Sequence, residues 1–302
     1  MRDSITQHHL CAVLNTEIGA RPPRPARSPI RILDMGCGNG HLMAFLQRML
    51  PQLRPGLAFE IYGFDVTDSR VQESGCFAET LAFLGQQFPA VDWRRRMFQI
   101  RSREEWPFPE GHFDYVVSNH VLEHVFDHDF AFAQMRRVLA PEGTAVHLFP
   151  LKCCIREGHL RLPFAHWISD ADLLLGYLKA CSRLGMGKCR EHVAQGHSAS
   201  LMDYCRKHAD YLIYETNYLS LGEVYRLAKR NRLRSSFRYT EQFYANKLRQ
   251  VFGRPPRHRY SAAPHAALKR PLFVLLMFVS SVTLVLEKSN TYTRNTLAPG
   301  AQ

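Results

Sequence analysis

No two of the eight cysteines stand in a C-x-x-C pair, and their positions (11, 37, 76, 153, 154, 181, 189 and 205) form no regular framework. That spacing argues against a disulfide-stapled scaffold and fits a reducing cytoplasm. The first residues, Met1-Arg2-Asp3-Ser4, lead into a mixed stretch without the apolar core of a secretory signal, so secretion is not expected. The apolar run after Pro271, Leu272 to Leu286, has 15 residues, short of the roughly 20 that span a bilayer as a helix. No internal repeat or low-complexity tract is visible, which removes solenoids and linker-like chains.

What the chain does have begins at Arg31-Ile32-Leu33-Asp34-Met35-Gly36-Cys37-Gly38-Asn39-Gly40, followed by Phe59-Glu60-Ile61-Tyr62-Gly63-Phe64-Asp65. An apolar strand runs into three glycines at alternate positions, a helix follows from His41, and a second strand ends on an acid. Glycines at 36, 38 and 40 let the backbone turn sharply and approach a ligand without a Cβ in the way. The helix adds its unpaired N-terminal amides, and a carboxylate at the neighbouring strand tip can accept both ribose hydroxyls. Dinucleotide sites carry G-x-G-x-x-G; here His41 takes the last glycine's place, which favours a nucleoside ligand without a pyrophosphate.

A second block reads Trp106-Pro107-Phe108-Pro109-Glu110-Gly111-His112-Phe113-Asp114-Tyr115-Val116-Val117-Ser118-Asn119-His120-Val121-Leu122-Glu123-His124-Val125, and a third reads Met135-Arg136-Arg137-Val138-Leu139-Ala140-Pro141-Glu142-Gly143. Together with the glycine segment, these resemble the class I S-adenosylmethionine-dependent methyltransferases, in particular the broad small-molecule (type 11-like) group. The resemblance covers about residues 30–150. It implies a Rossmann-like, doubly wound, mostly parallel seven-stranded α/β sheet with helices on both faces. It also implies S-adenosylmethionine as cofactor: Asp34 and the loop Gly36, Cys37, Gly38 and Gly40 on the methionine part, Asp65 on the ribose, and Asn119 and His120 lining the pocket. The family's acid beside the adenine falls on Ser102, whose hydroxyl can hydrogen-bond without charge assistance.

Patterning fills in the order. A lead-in helix over 4–18 and a Pro/Arg linker, Arg21 to Pro25, make up residues 1–29. The core, 30–150, alternates strands at 30–35, 59–64, 97–100, 115–118 and 144–149 with helices at 41–50, 71–88 and 130–139. Pro51 is expected to stop the first of these helices, and Pro141-Glu142-Gly143 the last. Residues 151–217 interrupt the family pattern and, placed after the fifth strand, are expected to form a lid on the acceptor side. The thread resumes over 218–270 with a helix to about Asn231 and a strand over 235–239, followed by the apolar segment and tail, 271–302.

Methyl transfer from a sulfonium asks the protein to align reactants, exclude water and take up a proton. His124 and Glu123 follow the fourth strand on the acceptor side, and His159 and His166 in the lid are further candidates. For His124, ordering of the loop stands beside catalysis as a reading; for the lid histidines a structural role does so too. The sequence lacks the Asn/Asp-Pro-Pro-aromatic segment of base amino-methylation, a cysteine in that loop for pyrimidine C-methylation, and the double acid of arginine methylation. That leaves O-methylation of a small-molecule, glycan or lipid-linked saccharide acceptor as the expected reaction. An RNA-directed transferase and a non-catalytic S-adenosylmethionine-binding module are the alternatives. No metal is expected, because Cys181, Cys189, His192, His197, Cys205 and His208 match no common zinc spacing.

Charge is unevenly placed. Between Arg226 and Arg270 stand 13 Lys or Arg residues against one acid, Glu241, so this stretch carries the chain's net +12. A basic third next to an apolar segment suggests an anionic membrane surface, with nucleic acid a less favoured partner. The chain is thus expected in the cytoplasm, with peripheral attachment to the inner membrane face left open. Residues 271–286 read as a buried helix plus closing edge strand, as an interfacial segment, or as a short anchor.

Overall fold

The computed structural model describes residues 3–22, 28–68, 76–261 and 266–289. Most of the expected Pro/Arg linker, the start of the helix expected at 71, and the tail after 289 lie outside the described residues. The elements follow as α1 (Ile5–Ala20), β1 (Ile30–Met35), α2 (His41–Leu53), β2 (Phe59–Val66), α3 (Cys76–Gln87), β3 (Met97–Ile100), β4 (Phe113–Asn119), α4 (His128–Val138) and β5 (Leu139–Pro150). The chain then forms a small hairpin, β6 (Arg156–Glu157) and β7 (Leu162–Pro163), and three helices, α5 (Ala171–Arg183), α6 (Cys189–Ala194) and α7 (Leu201–Tyr214). It closes with α8 (Leu221–Arg230), β8 (Leu233–Ser236), α9 (Thr240–Val251), α10 (Ala266–Leu276) and β9 (Ser281–Lys288).

Seven strands form one sheet in the order β3-β2-β1-β4-β5-β9-β8. β1 to β5 run parallel, and β9 is antiparallel to both β5 and β8. Strands covered on both faces carry apolar side chains at nearly every position, and Ile30–Met35 is buried at all but Arg31. One face packs Ile32, Tyr115, Val117 and Val285 against α1, α2, α3 and α9; the other packs Leu33, Val116, Leu284 and Leu286 against α4 and α8. The lead-in helix is therefore part of the core. A capping box of Ser4 and Gln7 starts it, and His9 to Ile18 are buried along its length.

Four expectations need correction. Pro51 does not stop α2, which runs on to Leu53; in the last turn the missing amide leaves only one helical bond unmade. Pro141-Glu142-Gly143 is an irregularity within β5, between the pairs Phe113–Leu139 and Tyr115–Thr144. The strand expected over 235–239 lies at 233–236, because Tyr239 takes a left-handed conformation (φ 78°) and opens α9, a helix the patterning does not suggest. The last strand is no edge strand: β9 lies between β5 and β8 with Val282, Leu284, Val285 and Leu286 fully buried.

The segment 151–217 has a small core of its own, in which Leu160, Leu174, Leu178, Tyr204 and Leu212 enclose Cys181, Cys189 and Cys205. All eight cysteines are unbridged. Asn217 ties this lobe to the turn after β4: its N–H donates to the Glu123 carbonyl (2.6 Å), and its side-chain amide donates to the Val125 carbonyl (3.1 Å). No helix among the described residues is long and apolar enough to cross a membrane.

Candidate functional site

The carboxyl ends of β1, β2 and β4 open on a cavity of about 1310 Å³. The glycine turn shapes one wall. The Gly36 and Cys37 amides both donate to the Phe64 carbonyl (2.9 and 3.0 Å). Gly36 has φ 70°, and a Cβ there would come within 2.7 Å of Val121. At Gly40, φ 71°, a Cβ would come within 2.7 Å of Thr80. Both positions thus demand glycine conformationally and sterically.

Two acids meet beneath this turn. Asp65 accepts from the Gly38 amide through Oδ2 (2.6 Å) and from the Val66 amide through Oδ1 (2.8 Å). Asp34 is buried, and its Oδ2 has no hydrogen-bond partner. Burial, with the Asp65 charge adding to it, pushes the Asp34 carboxyl well above the usual carboxylate range. Cys37 is buried in the same turn, and its thiol is pushed up by burial and by both acids. It is placed as packing rather than as a nucleophile.

Further along the cavity, the Ser102 hydroxyl donates to Asp68 Oδ2 (2.8 Å) and the Ser102 amide to Asp68 Oδ1 (2.9 Å). A carboxylate is therefore present at this end, supplied by position 68 across the crevice. Sequence reasoning passed over Asp68, although an acid three residues past Asp65 is a readable signal. At the exit of β4, Asn119 Oδ1 is buried without a partner, and His120 takes φ 58°. Gln7 of α1 and, just before the helix, Asp3 and Ser4 also line the cavity, a contribution no local motif announces.

The signature segments pack on each other. Arg137 donates to the Trp106 and Phe108 carbonyls (2.7 Å each), and Trp106 packs on Phe64 with ring centroids 4.7 Å apart and the planes tilted by 50°. The motif around Arg137 thus holds the aromatic turn against the strand that carries Asp65.

Of the candidate catalytic residues His124 lines the cavity, and Glu123 and His159 lie beside it without lining the cavity. Glu123 is fully buried; burial would raise its carboxyl, yet the His120 hydrogen bond (3.0 Å) and the charges of His120 and His124 bring it below the usual range. His124 lines the cavity, its Nδ1 donating to the Glu215 carbonyl (2.8 Å) and its Nε2 lying 3.4 Å from the Tyr211 hydroxyl. His159, in the turn between β6 and β7, donates through Nδ1 to Glu157 Oε1 (2.6 Å). Burial would lower its ring, but the hydrogen bond and charge of Glu157, with Glu123 adding to them, raise it overall. The rings of His124 and His159 lie 5.3 Å apart. His166 is not brought to this cluster: its Nε2 meets the Lys152 carbonyl (3.2 Å), and its ring packs on Tyr218. Glu157 and Tyr211 of the 151–217 segment join this cluster, unforeseen, because only folding brings residues so distant in sequence next to His124 and His159.

Comparison with known proteins places the chain in a family. A profile of the methyltransferase domain family matches residues 5–181. The chain is similar to a 2-phytyl-1,4-naphtoquinone methyltransferase of Synechococcus elongatus, 30% identical over 118 residues, 39% of this chain and 45% of the relative. It is also similar to a malonyl-[acyl-carrier protein] O-methyltransferase of Methylovorus, 25% identical over 153 residues, 48% of each chain. The chain spans about half the length of the curated relatives it matches. Among solved structures, the YcgJ protein of Bacillus subtilis overlaps 93% of this chain and 99% of its own, with 16% identity and a TM-score of 0.45. The chain belongs to the class I S-adenosylmethionine-dependent methyltransferases.

Proposed function

We propose that the protein transfers a methyl group from S-adenosylmethionine to a hydroxyl oxygen of a small-molecule, glycan or lipid-linked acceptor. The observation that carries this reading is one cavity shared by the glycine turn, the strand-tip acids and, on its far side, His124. The residues present fit the cofactor: the turn's glycines at 36 and 40 pack too tightly on Val121 and Thr80 to admit a Cβ, which keeps the backbone at the cavity wall, and Asp34 Oδ2 and Asn119 Oδ1 are buried acceptors without partners. When bound, the cofactor supplies a methyl on a sulfonium, which is its own leaving group. Asp34 and the 36–40 backbone hold the methionine part, Asp65 the ribose hydroxyls, and Asp68 with Ser102 the exocyclic amine of adenine. His124, with Tyr211 and His159 behind it, faces the acceptor. The lid excludes water there.

Relatives named for a 2-phytyl-1,4-naphtoquinone and for malonyl-[acyl-carrier protein] support a small-molecule or lipid-like acceptor group. Exposed apolar residues on α9 and α10 support delivery from a lipid surface. Titration of S-adenosylhomocysteine into the wild type and Asp65→Ala tests the cofactor: saturable heat in the wild type, weakened at least about tenfold in the variant, is expected, and no heat in the wild type removes the reading. Labelled-methyl transfer into lipid, glycan and RNA fractions then tests the acceptor. Label confined to RNA overturns it.

A further inference from the structure

We propose that Glu123, His124 and His159 bind a divalent first-row transition ion of the zinc type, at the junction of the lid and the cavity. One ligand-capable atom from each of the three lies within 4.8 Å of the others, a grouping found nowhere else among the described residues. The acid and the first imidazole come from the turn after β4, the second imidazole from the β6–β7 turn of the lid.

The surrounding hydrogen bonds prepare these atoms as ligands. The Nδ1 of His124 donates to a backbone carbonyl and the Nδ1 of His159 to the Glu157 carboxylate. Each ring's Nε2 is thus the nitrogen that carries the lone pair; on His124 an ion would displace the Tyr211 hydroxyl, which lies 3.4 Å from it, and an acceptor on the far nitrogen is how a metal-binding histidine is oriented and made more basic. Glu123 uses Oε1 on His120, while its Oε2 is buried and has no partner. An unpaired carboxylate oxygen in a buried site is costly, and a cation there removes the cost. Glu157, also fully buried, adds a second negative charge behind the site. An ion bound at about 2.0–2.2 Å from each ligand needs the three atoms somewhat closer than 4.8 Å, a contraction that small ring rotations provide. Two imidazoles and one carboxylate select zinc-type ions over magnesium or calcium, which take oxygen ligands. Three protein ligands leave a position open toward the cavity that His124 lines, where an acceptor hydroxyl can bind and have its proton affinity lowered.

The role given to the ion rests on the transferase reading; its presence does not. The test is calorimetric titration of Zn2+ and, separately, Mg2+ into the full-length chain after chelator treatment. The expected result is one Zn2+ per chain and no Mg2+ of comparable affinity. His159→Asn should weaken Zn2+ binding by at least about a hundredfold and Glu157→Gln by about ten- to a hundredfold, both still binding S-adenosylhomocysteine. No Zn2+ uptake, preference for Mg2+, or undiminished uptake by His159→Asn overturns the site. If that variant does not fold, Co2+ added to the wild type decides: a d–d spectrum without thiolate charge transfer supports the site, and a thiolate band, placing the ion on the lid cysteines, overturns it. Zn2+ binding without S-adenosylhomocysteine binding removes the transferase reading and leaves the site; the reverse removes only the site.

Discussion

Asp34 concentrates a conflict between stability and binding. Its side chain is 2% exposed and has an unpaired oxygen, and burial with the nearby Asp65 charge favours its neutral form. A carboxyl whose folded-state pKa is raised contributes fully below its ordinary value of 3.8, and that contribution is lost as pH rises toward the raised value. Asp34→Asn removes the ionisation, so thermal unfolding scans across mildly acidic to neutral pH should show a smaller loss of stability than wild type. The same change removes charge assistance toward a cationic ligand group and should weaken S-adenosylhomocysteine binding by roughly ten- to a hundredfold. A variant that neither gains stability near neutrality nor loses affinity would show that Asp34 is only structural. The glycines and Asp34 were legible in the sequence because a tight strand-to-helix turn admits few residue types. The carboxylate at 68 was not, because its relation to Ser102 depends on how β2 and β3 pair.

At the scale of elements, the C-terminal apolar segment divides in two. β9 is in the sheet, with Leu284 fully buried between the β5 and β8 ladders, whereas α10 leaves Leu275 63% exposed. Leu284→Ala should cost about 2–5 kcal/mol in urea unfolding, and Leu275→Ala no more than about 0.5 kcal/mol. Equal costs would contradict this division. Composition alone could not separate the halves, since an apolar run has the same character in a sheet, a helix or a lipid interface. α9 was missed for a related reason: its start depends on a left-handed Tyr239 whose hydroxyl donates to Glu17 of α1 (2.6 Å), a partner 222 residues away.

Across the whole molecule, the basic stretch from Arg226 to Arg270 is partly used within the fold. Arg230 pairs with Asp129, Arg234 with Glu287, and Arg238 with both Glu17 and Glu287. Of the other exposed cations, Arg254, Arg257 and Arg259 follow the end of α9. There Val251 and Phe252 are exposed, and α9 packs against α10 with its own exposed Leu272, Val274 and Leu275. This surface is expected to bind vesicles containing anionic lipid, in a salt-sensitive manner, and neutral vesicles weakly. Phe252→Asp with Leu275→Asp should lower co-sedimentation by roughly tenfold or more while leaving S-adenosylhomocysteine binding intact. Absence of the wild type from the anionic vesicle pellet would refute it.

The sequence by itself determined the sheet from β1 to β5, the glycine turn and the strand-tip acid, because strand periodicity, turn chemistry and helix starts are set by residues within about ten positions of one another. Only the tertiary structure decided that β9 enters between β5 and β8, that α1 walls the cavity, and that His159 meets Glu123 and His124. Those arrangements bring together side chains from 35 to nearly 280 positions apart, through burial and hydrogen bonding that exist only once the sheet and the 151–217 segment have folded against each other.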